Sequence, residues 1–169
     1  MNPVFQNLAF VALGSNLGDS RQIILGALTR LQEISTQPLR QSSLWQASPV
    51  DCPPGSPPFV NAVAALVPRA DETPESLLEK LRNLEKEFDR TPKKGWNEPR
   101  RLDLDLIAFG KETRQTGELA LPHPRAHLRR FVLQPLGEIA PDLILPGQSR
   151  TVTQLLAGLS DAETVTRLA

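Results

Sequence analysis

Cysteine is nearly absent from this chain: Cys52 is the only one in 169 residues. A lone thiol forms no internal disulfide and supplies no cysteine-based metal spacing, which fits a reducing compartment. Surplus charge is absent too, because nineteen Lys and Arg balance nineteen Asp and Glu. With no basic excess to follow a phosphodiester backbone, no nucleic-acid partner is expected. Long apolar runs are missing near the start. Met1 to Asn7 carries no positive charge, and Leu8 to Leu13 is too short for a secretory core or a membrane span. A cytoplasmic location without a membrane partner is the expectation. There is no internal repeat, low-complexity tract or linker, so residues 1–169 are expected to form one domain and a monomer.

Proline is plentiful, with sixteen residues, five of them between Pro49 and Pro58. That cluster reads as loop, since proline donates no ladder hydrogen bond and biases its predecessor away from helix. Residues 8–14 and 59–67 read as buried strands, 40–46 as a weaker one and 101–109 as a fourth. Asp19 with Gln22 opens a helix carrying Ile24, Ala27, Leu28, Leu31 and Ile34. Thr73-Pro74-Glu75 opens another, with Leu77, Leu81, Leu84 and Phe88 on one stripe. A hairpin is expected over 111–121, short helices over 124–140 and 151–159, and a frayed tail. The order β-α-β-β-α-β is that of a ferredoxin-like α+β sandwich, with both amphipathic helices on one face of an antiparallel sheet and long loops expected over the opposite face.

The densest chemistry lies in Trp96-Asn97-Glu98-Pro99-Arg100-Arg101-Leu102-Asp103-Leu104-Asp105. On a strand, Asp103 and Asp105 share one face while Leu102, Leu104 and Leu106 share the other. Two strand rises separate the carboxylates by roughly 6.5 Å, a spacing that suits a pair of divalent ions. Charges also guard exposed strand edges, but this strand reads as central because it continues through Ile107 and Phe109. Mg²⁺ is the expected ion, since it takes one or two protein carboxylates and leaves positions for phosphate oxygens. Arg90, Lys93, Lys94, Arg100 and Arg101 lie within twelve residues. Some must simply face solvent; together they are expected to close over a triphosphate, sealed by Trp96. His123, held between Pro122 and Pro124, is either a hydrogen-bonded structural residue or a phosphate donor, with Arg125, Arg129 and Arg130 following. Gly14-Ser15-Asn16 lacks the signature of a phosphate loop and reads as a sharp turn that a flat ligand can approach.

Five segments in order resemble the 6-hydroxymethyl-7,8-dihydropterin pyrophosphokinase family. They are Leu13 to Gly18, Phe59 to Ala62, Pro99 to Leu106, Leu121 to Pro124 and Phe131 to Pro141, within a match spanning about residues 10–159. The resemblance implies pyrophosphate transfer from ATP to the pterin hydroxymethyl group, with release of AMP. It implies that Asp103 and Asp105 hold two Mg²⁺, that Arg90, Arg100, Arg129 and His123 serve the triphosphate, and that Glu85, Trp96 and Leu106 lie near the nucleotide. The pterin would meet Gly14, Asn61, Trp96, Asp103 and the backbone of Ala47, Ser48, Pro49 and Val50, with Phe59 and Phe131 on either side of the ring. The chain departs from the family at Trp96-Asn97-Glu98-Pro99-Arg100, where many members have Trp-Gly-Pro-Arg, and at Pro92, where a second arginine is common. Phe59 and Pro124 stand where tyrosine is common. Two further classes stand beside this one: a metal-dependent nucleotide-sugar transferase, and a binding module descended from the enzyme.

Overall fold

The computed structural model describes residues 3–49, 52–88 and 101–168. A 3-10 turn at Pro3–Phe5 leads into β1 (Ala9–Ser15), whose residues are all buried except the half-buried Ala12. The continuous apolar run follows from position: β1 lies between β4 (Phe59–Leu66) and β5 (Asp103–Phe109), antiparallel to both. Between β1 and β4 come α1 (Ser20–Ile34), β2 (Arg40–Gln41) and β3 (Trp45–Ala47), and α2 (Pro74–Glu87) joins β4 to β5. The cap at Asp19 is present, its Oδ1 accepting the Gln22 N–H at 3.2 Å. Thr73 and Ser76 cap each other reciprocally, with Pro74 at the first helical position.

Ile24, Ala27 and Leu28 of α1, and Leu77, Leu81 and Leu84 of α2, meet Val11, Leu13, Ala62, Ala64 and Leu66 in a first core. Leu102, Leu104 and Leu106 belong to the same core, so the leucine face meets the helices as expected. Beyond β5 come a hairpin of β6 (Arg114–Gln115) and β7 (Ala120–Leu121), a 3-10 turn at Ala126–Leu128, α3 (Arg130–Ile139), α4 (Val152–Ala157) and β8 (Val165–Arg167). The main sheet runs β5-β1-β4-β3-β8, with β2 also on β4. Its first four strands have the ferredoxin-like order, with both crossover helices on one face.

Four expectations are corrected. The Asp-bearing strand is not central: among the described residues β5 is an edge strand, paired to β1 alone in the main sheet. The apolar stretch after Asp105 has another cause, a bulge opposite Phe10 and Val11 that sends both Ile107 and Ala108 into a second core. The second face is not merely loop-covered. Val132, Leu133 and Leu136 of α3 and Val152 of α4 pack there on Phe10, Val63 and Ala65. The weak strand over 40–46 is divided into β2 and β3, whose registers on β4 differ by one residue across Ser43–Leu44. The tail forms β8 rather than fraying, because β3 presents a free edge that it pairs with. The expected 89–100 loop and its closure on ATP, including Arg90, Trp96 and Arg100, lie outside the described residues, as does Val50.

Candidate active site

The end of β1 organises the site. Gly14 stands opposite Asn61 on one side and Asp103 on the other, while Asn61 in turn faces Trp45. Directly opposed residues of antiparallel strands share a face, so Asn61, Gly14 and Asp103 form one row, and Ala12 with Asp105 begins the next. Interstrand spacing puts Asn61 and Asp103 roughly 10 Å apart, with the glycine between them. This is the second face of the sheet. α3 and α4 cover it over Phe10, Val63 and Ala65, and the row at Gly14 lies beyond that apolar cluster.

Asn61 is 5% exposed, and its Nδ2 has no hydrogen-bond partner among the described residues. A Cβ placed on Gly14 would lie 3.1 Å from Asn61 Oδ1 and 3.6 Å from Phe59 Cδ1. Glycine therefore preserves space directly against the amide and the half-buried Phe59 ring, which suits a flat ligand rich in donors and acceptors. Phe131, at the start of α3, packs on the rim of the second core, and the Arg129 guanidinium lies 5.4 Å from its ring centre.

His123 is fixed to β5 by its N–H, which donates to Ile107 O at 2.8 Å. Its Nδ1 accepts the Arg125 N–H at 3.2 Å, so the neutral ring presents Nε2–H as its donor. Burial first, then the charges of Arg129 and Arg125, push its pKa down to about 4. The result is a neutral hydrogen-bond donor beside two guanidinium groups, a setting suited to an anion. Arg101 lies against the turn after β1, with its Cζ 3.7 Å from the position of a Gly18 Cβ. Asn16 fastens that turn to the proline loop through Nδ2 and Pro57 O at 3.3 Å.

Asp103 and Asp105 are both half-buried on the shared face. Among the described residues, no three His, Cys, Asp or Glu side chains converge as a metal site. Two hard carboxylates suit Mg²⁺, which completes its octahedron with phosphate oxygens and water. Leu106 packs its side chain in the first core, away from the Asp face. Glu85 is buried on α2, across the sheet from that face. Ala47 is buried and Pro49 half-buried, while the exposed Ser48 already donates its N–H to Thr164 O at 3.2 Å. One supporting residue that escaped sequence reasoning is Glu138 of α3. It accepts from Ser43 N–H, Ser43 Oγ–H and Trp45 Nε1–H and so holds the irregularity between β2 and β3. Only the position of Glu138 within the Phe131–Pro141 segment hinted at a role.

Residues 10–141 match the model of the family described as 7,8-dihydro-6-hydroxymethylpterin-pyrophosphokinase, HPPK. The chain is 38% identical over 154 residues to a Haemophilus influenzae 2-amino-4-hydroxy-6-hydroxymethyldihydropteridine pyrophosphokinase, covering 90% of this chain and 93% of the relative. A Pseudomonas aeruginosa protein of the same name is 40% identical over 149 residues, covering 88% and 89% respectively. A crystal structure of Plasmodium falciparum HPPK-DHPS superposes with a TM-score of 0.70 at 13% identity, a likeness of fold alone; the match covers 89% of this chain and 44% of that one. With the family model spanning most of the sequence and these relatives aligned along nearly their whole length, the chain belongs to the HPPK family.

Proposed function

We propose that this chain transfers pyrophosphate from ATP to the hydroxymethyl group of 6-hydroxymethyl-7,8-dihydropterin, giving the pterin diphosphate and AMP in folate biosynthesis, with two Mg²⁺ held by Asp103 and Asp105. Beside family membership, the observation that carries the reading is the row of Asn61, Gly14 and Asp103. It joins a buried amide with no partner among the described residues, a gap free of side chain and the first acid of the pair, with Asp105 in the next row of the same face. The pterin lies over Gly14 between Phe59 and Phe131, read by Asn61 and by the segment Ala47–Val50. Its hydroxymethyl group is directed toward Asp103.

The hydroxymethyl oxygen forms a bond to the β-phosphorus as the bond from that phosphorus to the α,β-bridging oxygen breaks; AMP leaves with that oxygen, and the hydroxyl proton passes to solvent. No protein nucleophile is required, so the residues act by positioning and charge neutralisation. When bound, Mg²⁺ supplies Lewis-acid neutralisation of the phosphate oxygens. His123 donates Nε2–H to the triphosphate, and Arg129 adds a forked cation. Arg90, Arg100 and Trp96 complete the nucleotide side in this proposal, on the strength of the motif match. The protein is proposed to act as a single-domain cytoplasmic monomer. The single cysteine supports that location, and no described helix is long and apolar enough to cross a membrane.

The test is product analysis with ATP and the hydroxymethylpterin, with and without Mg²⁺. AMP should appear in equal amount to pterin diphosphate, and only with the metal. Pterin binding without AMP would identify a binding module instead, and release of a nucleoside diphosphate would identify a different transferase.

A further inference from the structure

The C-terminal segment 159–168 lies beyond the residues that the family model matches, yet it grips two elements of the proposed pterin site. At α3, Glu163 Oε2 accepts the Arg130 N–H at 3.1 Å. That amide opens the helix, and the N-cap residue, Arg129, makes no side-chain capping hydrogen bond. Arg130 returns the grip. Its largely buried side chain donates to Ser160 O at 3.2 Å and Leu159 O at 3.4 Å, and pairs with Asp161 at 3.6 Å. The two residues flanking Arg130 are Arg129 and Phe131, whose guanidinium and ring lie against each other. At the other end of the segment, β8 pairs Val165 with Ala47 and Arg167 with Trp45. Thr164 O takes the Ser48 N–H, and Leu168 N–H donates to Leu44 O at 2.8 Å.

Resting on the proposed function, we infer that segment 159–168 is a positioning element of the active site, and that Glu163 is the positioning residue that sets the first turn of α3. Fixing the Arg130 amide fixes the backbone from which Arg129 and Phe131 project. The β8 ladder meanwhile holds the Ala47–Ser48 backbone, so one segment sets the distance between two walls of the pterin site. Glu163 touches no substrate in this scheme. Its effect reaches the ligand through α3, and it should appear in binding rather than in the chemical step.

The experiment compares E163A, E163Q and a chain ending at Ser160 with the parent. Loss of the helix-capping acceptor in E163A should raise the pterin KM about five-fold, with kcat changed less than about two-fold. E163Q keeps an oxygen for the Arg130 N–H and should retain the parental KM, while the shortened chain should match or exceed the E163A defect. Amide exchange over Arg130–Leu133 should quicken about ten-fold in E163A and stay parental in E163Q. A parental KM in E163A, equal impairment in E163Q, or unchanged exchange overturns the inference. A parent that makes no AMP overturns the functional reading instead, and the exchange comparison still decides the role of Glu163. If the shortened chain does not fold, the two point variants carry the test.

Discussion

Asn61 keeps its Nδ2 in the interior with no partner among the described residues, an arrangement costing on the order of 1–3 kcal/mol until something pairs with it. Asparagine is also a poor strand former, so neither stability nor propensity accounts for it at this position. In Asn61→Ala the unliganded melting temperature should be parental or higher. Pterin affinity should fall by about 1–3 kcal/mol and ATP affinity stay unchanged, as calorimetry can measure; equal pterin affinity would remove Asn61 from the site. Such a residue is legible in sequence, being an amide in an otherwise apolar run. The state of His123 was not, because it depends on Arg125 N–H and on two cations brought close by folding. Its pKa is about 4 in the folded protein, below the ordinary 6.5, so between those values the unfolded chain binds more protons. The stability it contributes is complete above pH 6.5 and is lost as pH falls toward 4. Denaturation midpoints of the parent should therefore drop further between pH 7 and pH 4.5 than those of His123→Gln. Parallel pH curves would show that His123 does not carry this dependence.

Elements with strong local signals formed where they were expected. α1 and α2 have side-chain caps and single apolar stripes, β1 is apolar up to Gly14, and β4 is apolar apart from Asn61. Elements specified by partners were not legible. β8 is three residues long and exists because the outer edge of β3 is free, and the break between β2 and β3 is held from another element by Glu138. Glu138 is exposed, so its three hydrogen bonds compete with water and together stabilise by about 1 kcal/mol. Glu138→Ala should lower the melting temperature by roughly 2–4 °C. It should also shift Trp45 emission, since the indole N–H loses its acceptor; emission unchanged in a Trp96→Phe background would show that the indole does not depend on this carboxylate.

At the scale of the molecule, the sheet divides its labour along the strands. The first face is covered by α1 and α2, and the second by α3 and α4 over Phe10, Val63 and Ala65, while the row at Gly14 carries the polar groups. Period-two patterning assigned Asp103 and Asp105 to the second face correctly, because each leucine beside them has a place in the first core. It could not place β5 at the edge, since the bulge at Ile107 and Ala108 mimics the apolar run of a central strand. The division also predicts how the acids behave. Asp103→Ala and Asp105→Ala leave Leu102, Leu104 and Leu106 packed, so each variant should fold cooperatively. In the proposed role each should abolish AMP formation, with the loss in kcat rather than in pterin affinity. A non-hydrolysable ATP analogue with Mg²⁺ at about a hundred times its Kd should stabilise the parent by about 2.7 kcal/mol, raising its midpoint by roughly 5–10 °C. In the variants the Mg²⁺-dependent part of that rise should disappear, while any part due to the analogue alone remains. A variant that folds, retains the Mg²⁺-dependent rise and still forms AMP would place the metal on other groups.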